Sequence, residues 1–165
     1  MTPFVFNTTP SIVFEDGAAA RMGALAAKLL GPRVLLVTDA GIMKLGLADA
    51  AVDSLRDAGC TVSLFDAVEA DPSRATVDLA IAAARDNEAT GILGFGGGSS
   101  MDVAKLVALI AGSGEALDDA WGVGNAKGPR LPMALVPTTA GTGSEVTPVS
   151  IITVEGETKL GVVSP

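Results

Sequence analysis

The sequence predicts an α/β fold in which a doubly wound, mostly parallel sheet carries helices on both faces. Three observations predict it. Between residues 17 and 110, apolar runs of strand length alternate with helical patterns. The runs are apolar throughout, which is typical of strands buried on both faces. A run of three glycines, Gly96, Gly97 and Gly98, joins one strand to a helix, as in Rossmann-like sheets that bind dinucleotides.

Length and composition are those of one domain, residues 1–165. The net charge is −8 and Lys and Arg form no cluster, so nucleic acid is not an expected partner. No run of 18 apolar residues occurs, so we expect no membrane span. The first ten residues lack the basic and then apolar pattern of a secretion signal. With Cys60 as the single cysteine, expected to be a core thiol, these features predict a cytoplasmic location.

The sequence contains no histidine and no tyrosine. A histidine general base, a Ser-His-Asp triad and a His-ligated metal are therefore excluded within these 165 residues. We accordingly assign no catalytic residue and no metal ligand to this sequence.

The first elements follow from turn signals and hydrophobic spacing. Residues 4–6 and 11–14 flank Asn7-Thr8-Thr9-Pro10 and predict a short β-hairpin. Residues 17–30 have helical spacing and stop at Gly31-Pro32. A continuous apolar strand follows at 34–38 and ends in Asp39, which either caps the next segment or holds a ribose hydroxyl.

The next elements repeat the alternation of helix and strand. Residues 47–58 predict a helix that ends at Gly59, and residues 61–65 predict a strand. Asp71-Pro72 has the pattern of a helix N-cap followed by proline at the first helical position. The helix that follows is expected to bury one face, formed by Val77, Ala80, Ile81 and Ala84.

Residues 91–105 predict a strand, the glycine turn (Gly96, Gly97 and Gly98) and a helix. The first N–H groups of a helix have no intrahelical partner, and glycine allows a phosphate to approach the backbone closely, so this arrangement can bind an anion. The spacing matches neither G-x-G-x-x-G nor a Walker loop, and a plain turn capped by Ser99 and Asp102 is the alternative. Asp102 and Lys105 are expected to form a surface ion pair.

The last part of the chain predicts a strand at 131–136 and two further β-segments at 149–154 and 160–163. The polar segment 137–147, here called the threonine segment, follows the first of these strands. Asp39, the glycine turn and the threonine segment each follow a predicted strand, so they should lie on one rim of a parallel sheet, where ligands bind. This convergence favours a dinucleotide site.

Two motifs, GGGSSMDVAK at 96–105 and PTTAGTGSEVT at 137–147, together resemble the iron-containing (group III) alcohol dehydrogenase family. VTDAGIMKLGL at 37–47 is similar to the first nucleotide-binding segment of that family. The resemblance covers only the N-terminal, NAD-binding part of the family pattern. Members continue into an all-helical domain that carries the metal ligands, one aspartate and three histidines, and this sequence stops before them.

The resemblance implies NAD-dependent interconversion of alcohols with aldehydes or ketones, with iron or another divalent metal in the complete enzyme. It assigns diphosphate contacts to Gly97, Gly98 and Ser99, phosphate or base contacts to Thr138, Thr139 and Thr147, a ribose contact to Lys159, and the adenosine ribose to Asp39. Glu145 is assigned no role.

The resemblance also implies a small alcohol or aldehyde substrate in the complete enzyme, self-association as a homodimer or larger assembly, and a chain that is inactive alone. Two alternatives stay open. One is a non-catalytic NAD-binding or assembly module. The other is a maleylacetate reductase or a hydroxyacid–oxoacid transhydrogenase on the same scaffold.

Overall fold

The structure, a computed structural model, describes residues 8–154, 156 and 158–164. Short 3-10 turns occupy Ala18–Arg21 and Leu117–Asp119. The helices and strands follow in this order: α1 (Met22–Leu30), β1 (Arg33–Val37), α2 (Ala40–Lys44), α3 (Asp49–Asp57), β2 (Thr61–Phe65), α4 (Arg74–Asp86), β3 (Gly91–Gly96), α5 (Gly98–Ser113), β4 (Gly122–Val123), β5 (Met133–Pro137), β6 (Val149–Thr153) and β7 (Lys159–Val163).

Four strands form a parallel sheet in the order β2-β1-β3-β5. Strand β1 lies in the middle, so that Leu36 is opposite Leu64 of β2 on one side and Leu93 of β3 on the other. Helices cover both faces of this sheet. The predicted doubly wound, parallel α/β architecture is therefore confirmed.

The two faces of the sheet explain why β1 is apolar at successive positions. Val34 and Leu36 pack in one cluster with side chains of α1 and α3. Leu35 and Val37 point the other way and pack in a second cluster with α4 and α5. All four side chains are buried, so residues 34–37 offer no solvent-facing position at which a polar residue would be favoured, whereas Arg33 at the start of the strand is exposed.

Helix α5 lies unusually close to β3, because β3 carries glycine at the point of contact. A Cβ atom on Gly94 would lie 2.7 Å from Ala104 Cβ and 2.8 Å from Leu135 Cδ2, which is closer than packed side chains approach. The small residues on both elements bring the N-terminus of α5 down onto the end of the strand.

A second sheet has the order β4-β7-β6, and its strands β6 and β7 form an antiparallel hairpin. This confirms the two β-segments predicted at the end of the chain. Ile152 and Val162 point inward and pack in the same cluster as Leu106 and Leu109 of α5. Helix α5 is thus enclosed by the parallel sheet on one side and the hairpin on another.

The predicted N-terminal hairpin is not seen as a hairpin. Its first arm, residues 4–6, lies outside the described residues. Residues 11–14 form no strand in the described part of the chain, and Ile12 and Phe14 are exposed. A β-segment needs a partner strand and a surface to cover its apolar side chains, and residues 8–154 offer these four residues no partner strand.

The start of α4 also differs from the prediction. Ser73, and not Asp71, is the N-cap, since its hydroxyl accepts a hydrogen bond from the Thr76 amide at 3.2 Å. Asp71 has a left-handed φ of 51° and its carboxylate accepts a hydrogen bond from Lys159. Both residues are of a type that caps helices, and the one whose side chain reaches the third helical amide forms the cap. Among the described residues, no helix is long and apolar enough to cross a membrane.

Candidate functional site

Three strand ends form one rim of the parallel sheet, as the sequence predicts. The Thr138 amide, just after β5, donates to the carbonyl oxygen of Gly96 at the end of β3, with 2.9 Å between nitrogen and oxygen. The buried Thr38 hydroxyl, just after β1, donates to the carbonyl oxygen of Phe95 at 2.6 Å. The three segments that follow these strands are thereby held side by side.

The glycine turn begins α5 without a side-chain cap. Gly97 is the N-cap residue, and no side chain among the described residues bonds to the helix end there. A Cβ atom on Gly97 would lie 3.6 Å from Thr139 Oγ1, and one on Gly98 would lie 3.2 Å from Thr142 Cγ2. The threonine segment therefore lies beside the first amides of a long helix, an arrangement suited to a phosphate group.

Gly96 is required by the backbone itself. Its φ is 147°, and a Cβ atom there would lie 2.7 Å from Ser100 Oγ. Any other residue would combine an unfavourable dihedral with a steric overlap. The turn that aims α5 at the rim therefore depends on this glycine.

Asp39 satisfies both interpretations offered by the sequence. Its Oδ1 accepts a hydrogen bond from the Ile42 amide at 3.0 Å and so caps α2. Its Oδ2 faces the glycine turn, since a Cβ atom on Gly96 would lie 3.4 Å from it. One oxygen is used by the helix cap, while the other points to the rim.

Ser99 and Lys159 line the same groove, a cavity of about 200 Å³ next to the glycine turn. Lys159 Nζ donates to Asp71 Oδ1 at 2.5 Å, across this groove. Both side chains are more than half exposed, so solvent screens the pair and it contributes little to stability. Lys159 can therefore exchange this partner for a ligand hydroxyl at small cost.

Thr138 and Thr139 are exposed on the rim. They line a cavity of about 610 Å³. Thr147 lines a neighbouring cavity of about 340 Å³, and both cavities are also lined by Glu145 and Val146. The predicted cofactor residues therefore lie around the glycine turn and along the cavities beside it, and no single cavity among the described residues is lined by all eight.

Asp102 and Lys105 are not the surface ion pair predicted from their spacing. The Lys105 side chain is only 4% exposed, and its Nζ lies 2.9 Å from Asp102 Oδ1. Burial lowers the pKa of the Lys105 ammonium group, and the Asp102 carboxylate opposes that shift. The alternative in which Ser99 and Asp102 cap the turn is not found, since Asp102 bonds to Ser144 and to the Ile151 amide.

The sequence around Lys105 indicates that its side chain is buried, although its spacing from Asp102 does not. Residues 103–110 are apolar on every side of the helix apart from Lys105, which is typical of a helix enclosed on all sides. A lysine in such a helix must find its partners inside the protein. Ser144, also buried, is one of those partners and was not predicted.

The described residues offer no group of three or more His, Cys, Asp or Glu side chains that could hold a metal ion. Histidine is absent from the whole sequence. The donor set of the residues that the structure describes therefore does not fit a transition-metal centre. A diphosphate is a different case. The end of α5 has no side-chain cap, and the backbone at Gly97 is approached only by Thr139, so the helix end fits such a group.

Comparison with known proteins agrees with this geometry. Residues 9–165 match the family model described as iron-containing alcohol dehydrogenase. An NAD-dependent methanol dehydrogenase of Bacillus methanolicus is 32% identical over 148 residues, which cover 90% of this chain and 39% of that protein. Further curated proteins and solved structures also match this chain.

Two solved structures have the same fold. A crystal structure of 1,3-propanediol oxidoreductase superposes with a TM-score of 0.93 at 34% identity, covering 99% of this chain and 43% of that one. The NADH-dependent butanol dehydrogenase A of Thermotoga maritima gives 0.87 at 32% identity, covering 99% and 42%. The chain spans about two-fifths of the length of these relatives.

Proposed function

Because this chain belongs to the iron-containing alcohol dehydrogenase family, we propose that residues 1–165 are the dinucleotide-binding domain of an NAD-dependent alcohol dehydrogenase. In the complete enzyme, hydride would pass between a small alcohol or aldehyde and the nicotinamide ring, which supplies the redox chemistry. The observation that carries the proposal is the uncapped N-terminus of α5, which lies on the rim between Asp39 and the threonine segment.

Each rim residue has a distinct task in this proposal. The amides that follow Gly97, with the Ser99 hydroxyl, hold the diphosphate by hydrogen bonds and by the positive end of the helix dipole. The Asp39 carboxylate accepts hydrogen bonds from the adenosine ribose. Lys159 donates to the second ribose from across the groove, and Thr138 and Thr139 contact the phosphates from the side of β5. Thr147 contacts the phosphates or the base from the end of the threonine segment.

Titration of the chain with NAD and with NADP by calorimetry tests this function. We expect saturable binding of NAD and weaker binding of NADP, because the Asp39 carboxylate repels a 2′-phosphate by about 1–3 kcal/mol at a partly exposed rim. Asp39→Asn should reduce the preference, while asparagine still caps α2. Tighter binding of NADP by the original chain, or a preference unchanged in Asp39→Asn, would contradict the role of Asp39. Failure of NAD to bind would contradict the proposed function.

We also expect the 165-residue chain alone to show no alcohol oxidation. The developing alkoxide must be stabilised by a metal ion or by an equivalent set of hydrogen-bond donors. We expect no oxidation because the described residues do not fit a metal centre. The assay adds iron or zinc, NAD and a panel of short alcohols, and follows reduced cofactor by absorbance. Metal-dependent turnover of about 1 per second or more, the range of ordinary enzymes, would contradict this expectation.

A further inference from the structure

The buried ion pair on α5 is the part of the molecule that the proposed function leaves unused. Lys105 Nζ lies 2.9 Å from Asp102 Oδ1 and from Ser144 Oγ, and 3.0 Å from the Ser144 carbonyl oxygen. It also donates to the carbonyl oxygen of Val149, the first residue of β6. An ammonium group has three N–H donors, so this one is fully used by partners on three different segments.

The carboxylate of the pair reaches the same two segments. Asp102 accepts a hydrogen bond from the Ser144 hydroxyl, in the threonine segment. Its Oδ2 accepts one from the Ile151 amide of β6 at 3.0 Å. A single turn of α5, one turn after the glycine turn, therefore binds both the threonine segment and the hairpin that carries Lys159.

We propose that the Asp102–Lys105 pair positions the cofactor site by locking the threonine segment and the β6–β7 hairpin onto α5. Because α5 carries the diphosphate turn at its start, the lock sets the distance between that turn and Lys159. Asp102 and Lys105 touch no ligand in this arrangement, so they are positioning residues. The proposal rests on the proposed NAD site.

The energetics of the pair support this role. Removing Lys105 would leave the Asp102 charge without its counter-ion and the two carbonyl oxygens without a donor. The contacts are all local to one side of α5, so the loss should loosen the threonine segment and β6 first. A purely structural pair would instead lower the stability of the chain without selectively changing ligand affinity.

Three variants separate these possibilities. Lys105→Met removes the charge at similar length. Ser144→Ala is a milder change that removes one hydroxyl shared by both charged groups. Leu55→Ala is the matched control, because Leu55 is fully buried in the cluster on the opposite face of the parallel sheet and its loss destabilises the chain without touching the rim.

Two measurements are made on each folded variant, hydrogen exchange followed by mass spectrometry and NAD affinity by calorimetry. In Lys105→Met we expect exchange to rise in residues 144–153 and the Kd for NAD to rise by about tenfold, with smaller changes in the same direction for Ser144→Ala. Leu55→Ala should raise exchange around α3 and leave the Kd within about twofold of the original value.

An unchanged Kd in Lys105→Met, or faster exchange spread evenly over the chain, would overturn the lock. If the original chain binds no NAD, the proposed function fails. Hydrogen exchange then tests by itself whether the Asp102–Lys105 pair holds the threonine segment and the hairpin onto α5. A rise confined to 144–153 would still support it, and an even rise would overturn it.

Discussion

Replacing Gly97 with valine should weaken NAD binding by about 30-fold or more, equivalent to about 2 kcal/mol, while the chain stays folded. Gly97 has a φ of −80° and a ψ of −173°, an extended conformation that valine adopts readily. A Cβ atom there meets only Thr139, at 3.6 Å and beyond, which is ordinary contact. The protein can therefore accept the larger side chain, whose methyl groups would lie at the helix end to which the diphosphate is assigned.

The measurement is calorimetric titration with NAD, accompanied by thermal unfolding of both proteins. Gly59→Ala serves as the control, since Gly59 lies in an exposed turn with a φ of 89° and away from the rim. That change should lower stability because alanine disfavours a positive φ, yet leave NAD affinity unaltered. Normal NAD affinity in Gly97→Val would show that the diphosphate does not bind at this helix end.

Replacing Gly23 with alanine should lower the free energy of unfolding by about 3 kcal/mol. An alanine in the interior of a helix normally stabilises it by about 1 kcal/mol relative to glycine, so the expected sign is reversed here. A Cβ atom on Gly23 would overlap the carbonyl oxygen of Ser54 and lie 2.9 Å from Ala58 Cβ. Helices α1 and α3 touch at this point, and backbone atoms cannot move aside as a flexible side chain would.

Urea denaturation of the two proteins measures the difference. Ala24→Gly provides the comparison, because Ala24 is the exposed neighbour in α1 and its replacement should cost at most about 1 kcal/mol through helix propensity alone. A Gly23→Ala protein as stable as the original would mean that α1 and α3 are not in close contact.

Local pattern was enough to predict the frame of the fold. Residues 34–37 are apolar at every position because each side chain is buried on one face or the other, and this unbroken run identifies an inner strand without knowledge of its neighbours. The spacing of Val77, Ala80, Ile81 and Ala84 likewise identified the buried face of α4, and all four are buried. The rim followed from topology, since parallel strands end on the same side.

Partners that are distant in sequence could not be predicted in this way. Lys105 was expected at the surface because the prediction used only its spacing from Asp102. The apolar residues around it indicate an enclosed helix, but its partners lie on the threonine segment and on the hairpin that folds over α5. Asp71 was expected to cap α4, but its carboxylate pairs with Lys159 of β7. In both cases the deciding contact comes from a segment that local spacing does not include.

The close approach of α5 to β3 also limits how this sequence can vary. With Ala104 and Leu135 packed against Gly94, a methyl group added at Gly94 has room only if a neighbour becomes smaller. Substitutions at 94, 104 and 135 should therefore occur as compensating sets in the evolution of such chains, and single replacements at 94 should be removed by selection. The residues at these three positions would then covary among related chains.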